Sequence, residues 1–186
     1  MRVIGGSAKG RRLVSLRGLT IRPTSEKVRE AVFDILQGYF PCERILDIFA
    51  GTGAMGIEAM SRGAGEAVFI DANRRVASLI RENLERTGFS QRAKVLQMDA
   101  VDAIKLLSSR RERFDLVFID PPYENSLIEK VLTCIDHDGL LTAGGVAVSE
   151  SSRKRGDQGK LATLTLFKKR GYGDTVVSFY KAPETV

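Results

Sequence analysis

The corner Asp120-Pro121-Pro122-Tyr123 follows four apolar residues, Leu116-Val117-Phe118-Ile119. Each proline fixes its own φ and lacks an N–H, and Pro121 biases Asp120 towards extended backbone. Such a corner is rigid and offers acceptors. An ionised Asp120 and the Pro121 carbonyl can receive the two N–H groups of an exocyclic base amine, and Tyr123 supplies a flat apolar face for the ring. The lone pair of that amine is delocalised into its ring, which makes it a poor nucleophile. Two aligned acceptors favour a more pyramidal nitrogen, and an electropositive methyl group held in line makes the transfer a matter of orientation, worth roughly 7–11 kcal/mol in favourable cases. No dedicated nucleophile is needed. The bland alternative is an ordinary strand-to-loop turn. The single histidine, His137, lies in the polar Asp136-His137-Asp138-Gly139 turn and reads as a surface residue.

A second motif supplies a place for the donor. Asp47-Ile48-Phe49-Ala50-Gly51-Thr52-Gly53-Ala54-Met55-Gly56 spaces Gly51, Gly53 and Gly56 as G-x-G-x-x-G after an apolar run and before a helical one. Phe49, Ala50, Gly51 and Gly53 can bring backbone close to a ligand near a helix N-terminus. Asp71, followed by Ala72, lies 20 residues after Gly51 and can accept hydrogen bonds from ribose hydroxyls. To this point a nicotinamide dinucleotide and S-adenosylmethionine fit alike. Asp99, followed by Ala100, can accept from an adenine amine or cap the next helix, a role in which Asp is favoured. Asp47 can help to hold an ammonium such as that of a methionine moiety.

These residues require elements that bring them to one edge. From Arg44 onward, apolar runs alternate with helical stretches: 45–49 then 54–62, 67–70 then 73–87, 94–98 then 100–108, 116–119 then 125–136. Such alternation predicts a parallel sheet with helices on both faces. Residues 146–150, 161–168 and 175–181 read as strands, with Gly171-Tyr172-Gly173-Asp174 as a hairpin turn, so an antiparallel strand enters the sheet. Ahead of this, apolar runs at 2–4 and 13–16 flank a glycine-rich stretch and predict a basic hairpin. Thr24 and Ser25 then cap an amphipathic helix ending near Gly38. One domain over residues 1–186 is expected, with 1–23 as a basic N-terminal hairpin extension.

Forty-three per cent apolar and 28% charged residues exclude a disordered or collagen-like chain. No apolar run is long enough to span a membrane, Met1-Arg2-Val3-Ile4-Gly5-Gly6 does not read as a signal peptide, and Cys42 and Cys134 form neither a zinc spacing nor a disulfide framework. A cytoplasmic protein with no membrane partner and no metal is expected. The net charge of +6 is segregated: residues 1–30 hold eight basic and two acidic side chains, 31–150 thirteen and eighteen, and 151–186 eight and three. Basic ends around an acidic middle point to a polyanionic partner at the termini.

The chain resembles the bacterial 16S rRNA guanine-N2 methyltransferases over nearly its whole length. The resemblance is carried by Val3-Ile4-Gly5-Gly6 with Lys9-Gly10-Arg11, Arg22-Pro23-Thr24 with Val28-Arg29-Glu30-Ala31-Val32-Phe33, the glycine loop with Glu58-Ala59, and Asp120-Pro121-Pro122-Tyr123. The last motif alone would also admit DNA amino-methyltransferases; the N-terminal motifs narrow the match. The tail after Glu150 matches loosely. The resemblance implies an α/β, Rossmann-like class I methyltransferase sheet of seven strands, order 3-2-1-4-5-7-6, with one antiparallel strand and a small N-terminal hairpin and helix. It implies S-adenosylmethionine, with S-adenosylhomocysteine as product, contacted near Thr24 and Gly51 and by Asp71 and Asp99. It also implies a guanine entering against Asp120 and Tyr123, and 16S rRNA in a partly assembled small ribosomal subunit as the substrate; a monomer is expected. Arg2, Lys9, Arg11, Arg12, Arg17 and Arg22 fit a phosphate-gripping hairpin. Arg29, part of the family motif, is assigned to RNA as well, against the alternative of an ion pair on a solvated face. Competing expectations are amino-methylation of adenine in DNA, a non-catalytic RNA-binding module and an NAD-dependent oxidoreductase.

Overall fold

The structure, a computed structural model, describes residues 1–15, 25–121, 125–153 and 161–185. Four short apolar segments, β1 (Arg44–Ile48), β2 (Glu66–Ile70), β3 (Ala93–Leu96) and β4 (Phe114–Ile119), pair in parallel, and β5 (Leu141–Ser152) continues the sheet beside β4. β7 (Thr175–Lys181) pairs antiparallel with β5, and β6 (Thr165–Tyr172) antiparallel with β7. The order is β3-β2-β1-β4-β5-β7-β6, as the resemblance implies. α1 (Glu26–Ile35) precedes β1, and between the strands run α2 (Ala54–Ser61), α3 (Arg74–Thr87), α4 (Ala100–Ser109) and α5 (Asn125–His137). Ser25 starts α1 by accepting from Val28 N, and Asn73 starts α3, which stops at Gly88 in the left-handed conformation.

The central strands β1, β2 and β4 are buried on both faces, as a parallel sheet under two helical layers must be, whereas the edge strand β6 is largely exposed. One core layer joins Ile45, Leu116, Phe118, Val148 and Phe179 of the sheet to α1, α2, α3 and to Val3, Ala8 and Leu13 of the N-terminal segment. The other joins Leu46, Ile48, Val117, Ile119 and Ala147 to α4 and α5. Because side chains alternate along a strand, Asp47 faces the α2 side between Leu46 and Ile48. No described helix is long and apolar enough to cross a membrane.

Two strands differ by four residues or more from those read in the sequence, the other elements by three or fewer. The sixth strand spans Thr165–Tyr172 rather than 161–168. The Asp136 carboxylate accepts from the amides of Ala162, Thr163 and Leu164 and from the Thr163 hydroxyl, which takes these groups out of any ladder. The fifth strand begins at Leu141, ahead of the expected 146, with a register shift between Phe114 and Leu116 of its neighbour. At the N-terminus, residues 1–15 turn back through a single antiparallel bridge, Arg2 to Arg12, supported by Val3 N donating to Arg11 O at 3.0 Å and Gly10 N to Val3 O at 2.9 Å.

Candidate active site

Register places the chemistry at one level. Ile48 pairs with both Ile70 and Ile119, so the chain leaves β1, β2 and β4 side by side, presenting Phe49, Asp71 and Asp120 on the same edge. The glycine loop then turns sharply across that edge. Gly51 (φ 56°) and Gly53 (φ 75°) are left-handed, and so is Phe49 (φ 62°), a conformation that costs a non-glycine residue about 1–2 kcal/mol. The turn is held by Ala50 N donating to Ile70 O at 3.0 Å and Gly53 N to Ala50 O at 2.7 Å. Gly56 serves close packing: a Cβ there would lie 2.3 Å from the Phe69 ring.

Three carboxylates converge around this loop. Asp47 is 3% exposed and accepts from Gly56 N at 2.9 Å. Burial pushes its pKa up to about 8; the Gly56 bond opposes the shift, and the charges of Asp120 and Asp71 add to it. Asp71, half-buried, accepts from Asn73 N at 2.9 Å and from Gly51 N at 3.3 Å, and burial raises it in spite of both bonds. Asp120 is half-buried above a buried Pro121, and its N–H points at Ile48 O, 3.5 Å away.

This donor set discriminates between ligands. A pyrophosphate binds at a helix N-terminus through its free amides. Here the chain's own Asp47 carboxylate already occupies the Gly56 amide in the first turn of α2. A ligand with a positive centre relieves the repulsion among Asp47, Asp71 and Asp120, whereas one carrying phosphates increases it. The residues therefore fit a ribose-bearing cation better than a dinucleotide. Asp99, exposed, caps α4 by accepting from Val101 N at 2.8 Å; Ala100 beside it is buried, and Ala72, beside Asp71, is exposed. The capping role weighed for Asp99 is thus realised. Thr24, Pro122 and Tyr123 lie outside the described residues, as do Arg17 and Arg22.

Arg2, Lys9, Arg11 and Arg12 are exposed on the N-terminal segment. Arg29 is not: it is 0% exposed, which corrects its assignment to RNA. Its Nε lies 3.6 Å from Glu58 Oε2, and its Nη2 donates to Arg2 O. Burial lowers its pKa, and Glu58 followed by Glu26 opposes the shift. Glu58, also buried, accepts from Ile4 N and Gly5 N, each at 2.8 Å, and from Arg62 Nε at 2.9 Å. Ser61 accepts from Ala8 N at 2.9 Å. Asn83, 0% exposed, accepts from Val14 N at 2.7 Å and donates to Val14 O at 3.1 Å and to Thr52 O at 2.9 Å, linking the N-terminal segment to the glycine loop. Sequence reasoning missed Ser61 and Asn83, which nothing local marks; the lone acid in the apolar run Ala54–Met60 was a readable sign of a paired, buried Glu58.

The chain matches, over residues 1–181, the family described as "Conserved hypothetical protein 95". A Bacillus subtilis relative named "Putative rRNA methyltransferase YlbH" is 37% identical over 97% of this chain and 98% of its own length. The Escherichia coli K12 "Ribosomal RNA small subunit methyltransferase D" is 30% identical over 97% and 89%. The solved structure titled "Putative methyltransferase yhhF from Escherichia coli" superposes with a TM-score of 0.86 at 27% identity, covering 98% of both chains.

Proposed function

We propose, starting from the fact that the chain belongs to the family described as conserved hypothetical protein 95, that it methylates the exocyclic N2 of a guanine in 16S rRNA, using S-adenosylmethionine. The observation that carries this reading is the convergence of Asp47, Asp71 and Asp120 on a glycine loop at the carboxyl edge of β1, β2 and β4. The names of the curated relatives support rRNA of the small subunit as the substrate class.

Bound S-adenosylmethionine supplies a methyl group on a positively charged sulfur. Asp71 accepts from the ribose hydroxyls, Asp47 faces the ammonium, and the backbone of Phe49, Ala50, Gly51 and Gly53 forms the wall. Thr24, Ala72, Asp99 and Ala100 complete the cofactor set. Asp120 and the Pro121 carbonyl accept the two N–H groups of the guanine amine, and Pro122 and Tyr123 keep the roles that the sequence motif assigns to them, stiffening the turn and stacking on the base. Orientation and acceptor placement lower the barrier, so the chain needs no covalent step; N2 gives up one proton, to Asp120 or to solvent, for the methyl group that it would take from sulfur. Arg2, Lys9, Arg11 and Arg12, with Arg17 and Arg22, grip phosphates of the partly assembled subunit. The protein works as a single-domain monomer.

Incubation with labelled methyl donor and small-subunit particles, naked 16S rRNA or duplex DNA tests the reading, with nucleoside analysis of the product. N2-methylguanine from the small subunit is expected; label in DNA alone refutes it. Asp120→Ala is expected to lower transfer by about 10²–10³-fold while donor affinity, measured by calorimetry, is retained. A non-catalytic RNA-binding protein would show no transfer to lose.

A further inference from the structure

The carboxyl edge of the sheet has two halves. The glycine loop, Asp71 and Asp99 belong to β1, β2 and β3, and beyond Asp120 the edge continues through β5, β7 and β6. β5 runs parallel to β4, Ser152 pairs with Thr175 and Thr175 with Tyr172, so the turn between β6 and β7 lies at the same edge as Asp120. Three strand spacings separate β4 from β6, about 14 Å.

That outer half is basic. Arg153, Lys168, Lys169 and Arg170 stand on it against two acids, Glu150 and Asp174. Arg153 N donates to Asp174 O at 2.7 Å, and the Arg153 guanidinium lies against Gly171, which brings its charge to the β6 rim. Among the described residues, neither Lys168 nor Arg170 makes an ion pair; Arg170 Nη1 donates to the neighbouring Lys169 carbonyl at 3.2 Å. Lys168 pairs across Phe179 to Val148, and Arg170 across Val177 to Glu150. Paired residues point to one face, and Val148, Val177 and Phe179 share their core layer with Val3, Ala8 and Leu13. Lys168 and Arg170 therefore occupy the side of the sheet that carries the N-terminal hairpin.

The same strand holds the exposed large apolar side chains of the described residues, Leu166 at 45% and Phe167 at 42%. Phe167 packs its ring 6.1 Å from Phe179 and leaves an accessible face at a bulge in an edge strand. Natural edges are usually blunted by charge rather than furnished with an exposed aromatic ring. A ring beside cations is the combination that binds unpaired nucleotides, by stacking and by phosphate neutralisation.

We propose that Lys168 and Arg170, with Phe167, form a second RNA-gripping surface, which holds the backbone flanking the target base on the side opposite the cofactor, while Lys169 pairs with Ser178 and faces the other side of the sheet. The proposal rests on the reading of rRNA as substrate and goes beyond it by assigning the strand that holds the RNA. Protein partners adding a strand to β6 are disfavoured by the concentration of cations.

The test compares the intact chain with Lys168→Gln/Arg170→Gln and with Phe167→Ala, binding 16S rRNA across a potassium chloride series. Two lost phosphate contacts reduce the slope of log K against log salt by about 1.4–1.8, which narrows the advantage of the intact chain about tenfold between 50 and 200 mM. Phe167→Ala is expected to weaken binding about tenfold with the slope unchanged. Donor affinity and melting temperature are expected to stay unchanged in both, which separates lost contact from lost fold. An unaltered affinity and slope in the double variant overturns the proposal. So does a defect seen with assembled subunits but not with naked RNA, which would assign the surface to a ribosomal protein. If the intact chain transfers no methyl group to rRNA yet the slope difference stands, the enzymatic reading falls and this surface remains.

Discussion

Replacing Asp47 by Asn tests the electrostatic design of the site. With a folded-state pKa of about 8 the buried carboxyl is mostly protonated at pH 7, whereas in the unfolded chain it ionises near 3.8. Unfolding therefore releases a proton, and the stability contributed by this group is present below pH 4 and lost as pH rises towards 8. Across the roughly three pH units between 3.8 and 7 the loss amounts to about 4 kcal/mol. Asn accepts from Gly56 N in the same way and cannot ionise. Water at the open edge and an effective dielectric near 20 reduce the recoverable part, leaving a gain of about 1–2 kcal/mol. That corresponds to roughly 2–8 °C in melting temperature for a domain of this size. Urea titrations are expected to show the gain at pH 7.5 and a much smaller one at pH 5. Donor affinity is expected to move the other way, falling about 10–100-fold with the loss of a charged partner. Calorimetry at pH 7 in buffers of different ionisation enthalpy is expected to show nearly one proton released on donor binding to the intact chain and none with the variant. A variant less stable than its parent at pH 7.5, or equal proton release by both, would refute the reasoning.

Gly56→Ala drives a methyl group into the Phe69 ring at 2.3 Å and is expected to cost about 1–3 kcal/mol in urea melts; an unchanged midpoint would count against it. Glu58→Gln leaves the fully buried Arg29 without its counter-charge, and a loss of about 3–5 kcal/mol is expected. Glu58→Gln/Arg29→Met is expected to recover part of it, and strict additivity would deny the coupling. For Asp136, burial acts to raise the pKa, but the Thr163 hydroxyl and the amides of Thr163, Ala162 and Leu164 outweigh it and hold it below the usual carboxylate range. Its stabilisation is present above pH 4 and is lost as pH falls through the lowered value. Asp136→Asn is expected to cost about 2 kcal/mol at pH 7 and to flatten the acid limb of a stability curve.

The glycine loop, Asp47 near the end of β1 and the acids after β2 and β4 were legible because each depends on position along one strand. A run of apolar residues ending in Asp declares its own edge, and parallel pairing aligns Asp71 with Asp120 without further information. Arg29 was illegible because its partner, Glu58, lies on another helix and arginine is seldom buried. Asn83 likewise takes its meaning from Val14 and Thr52, both distant in sequence. The sixth strand slipped because β6 is exposed along much of its length and carries no apolar alternation to fix its ends.

The N-terminal segment has an inner and an outer side with different tolerances to change. Inside, a Cβ on Gly6 would come within 1.8 Å of the Ser61 carbonyl, and Ile4, Gly5, Ala8 and Val14 hand their amides to Glu58, Ser61 and Asn83. Outside, Lys9 and Arg12 bear on solvent. Variation at the outer positions changes surface charge, and with it the proposed grip on RNA, without unseating the fold, whereas drift at the inner ones removes a wall of the helical layer. A library randomised over residues 1–15 thus separates into freely exchangeable charges and a fixed frame.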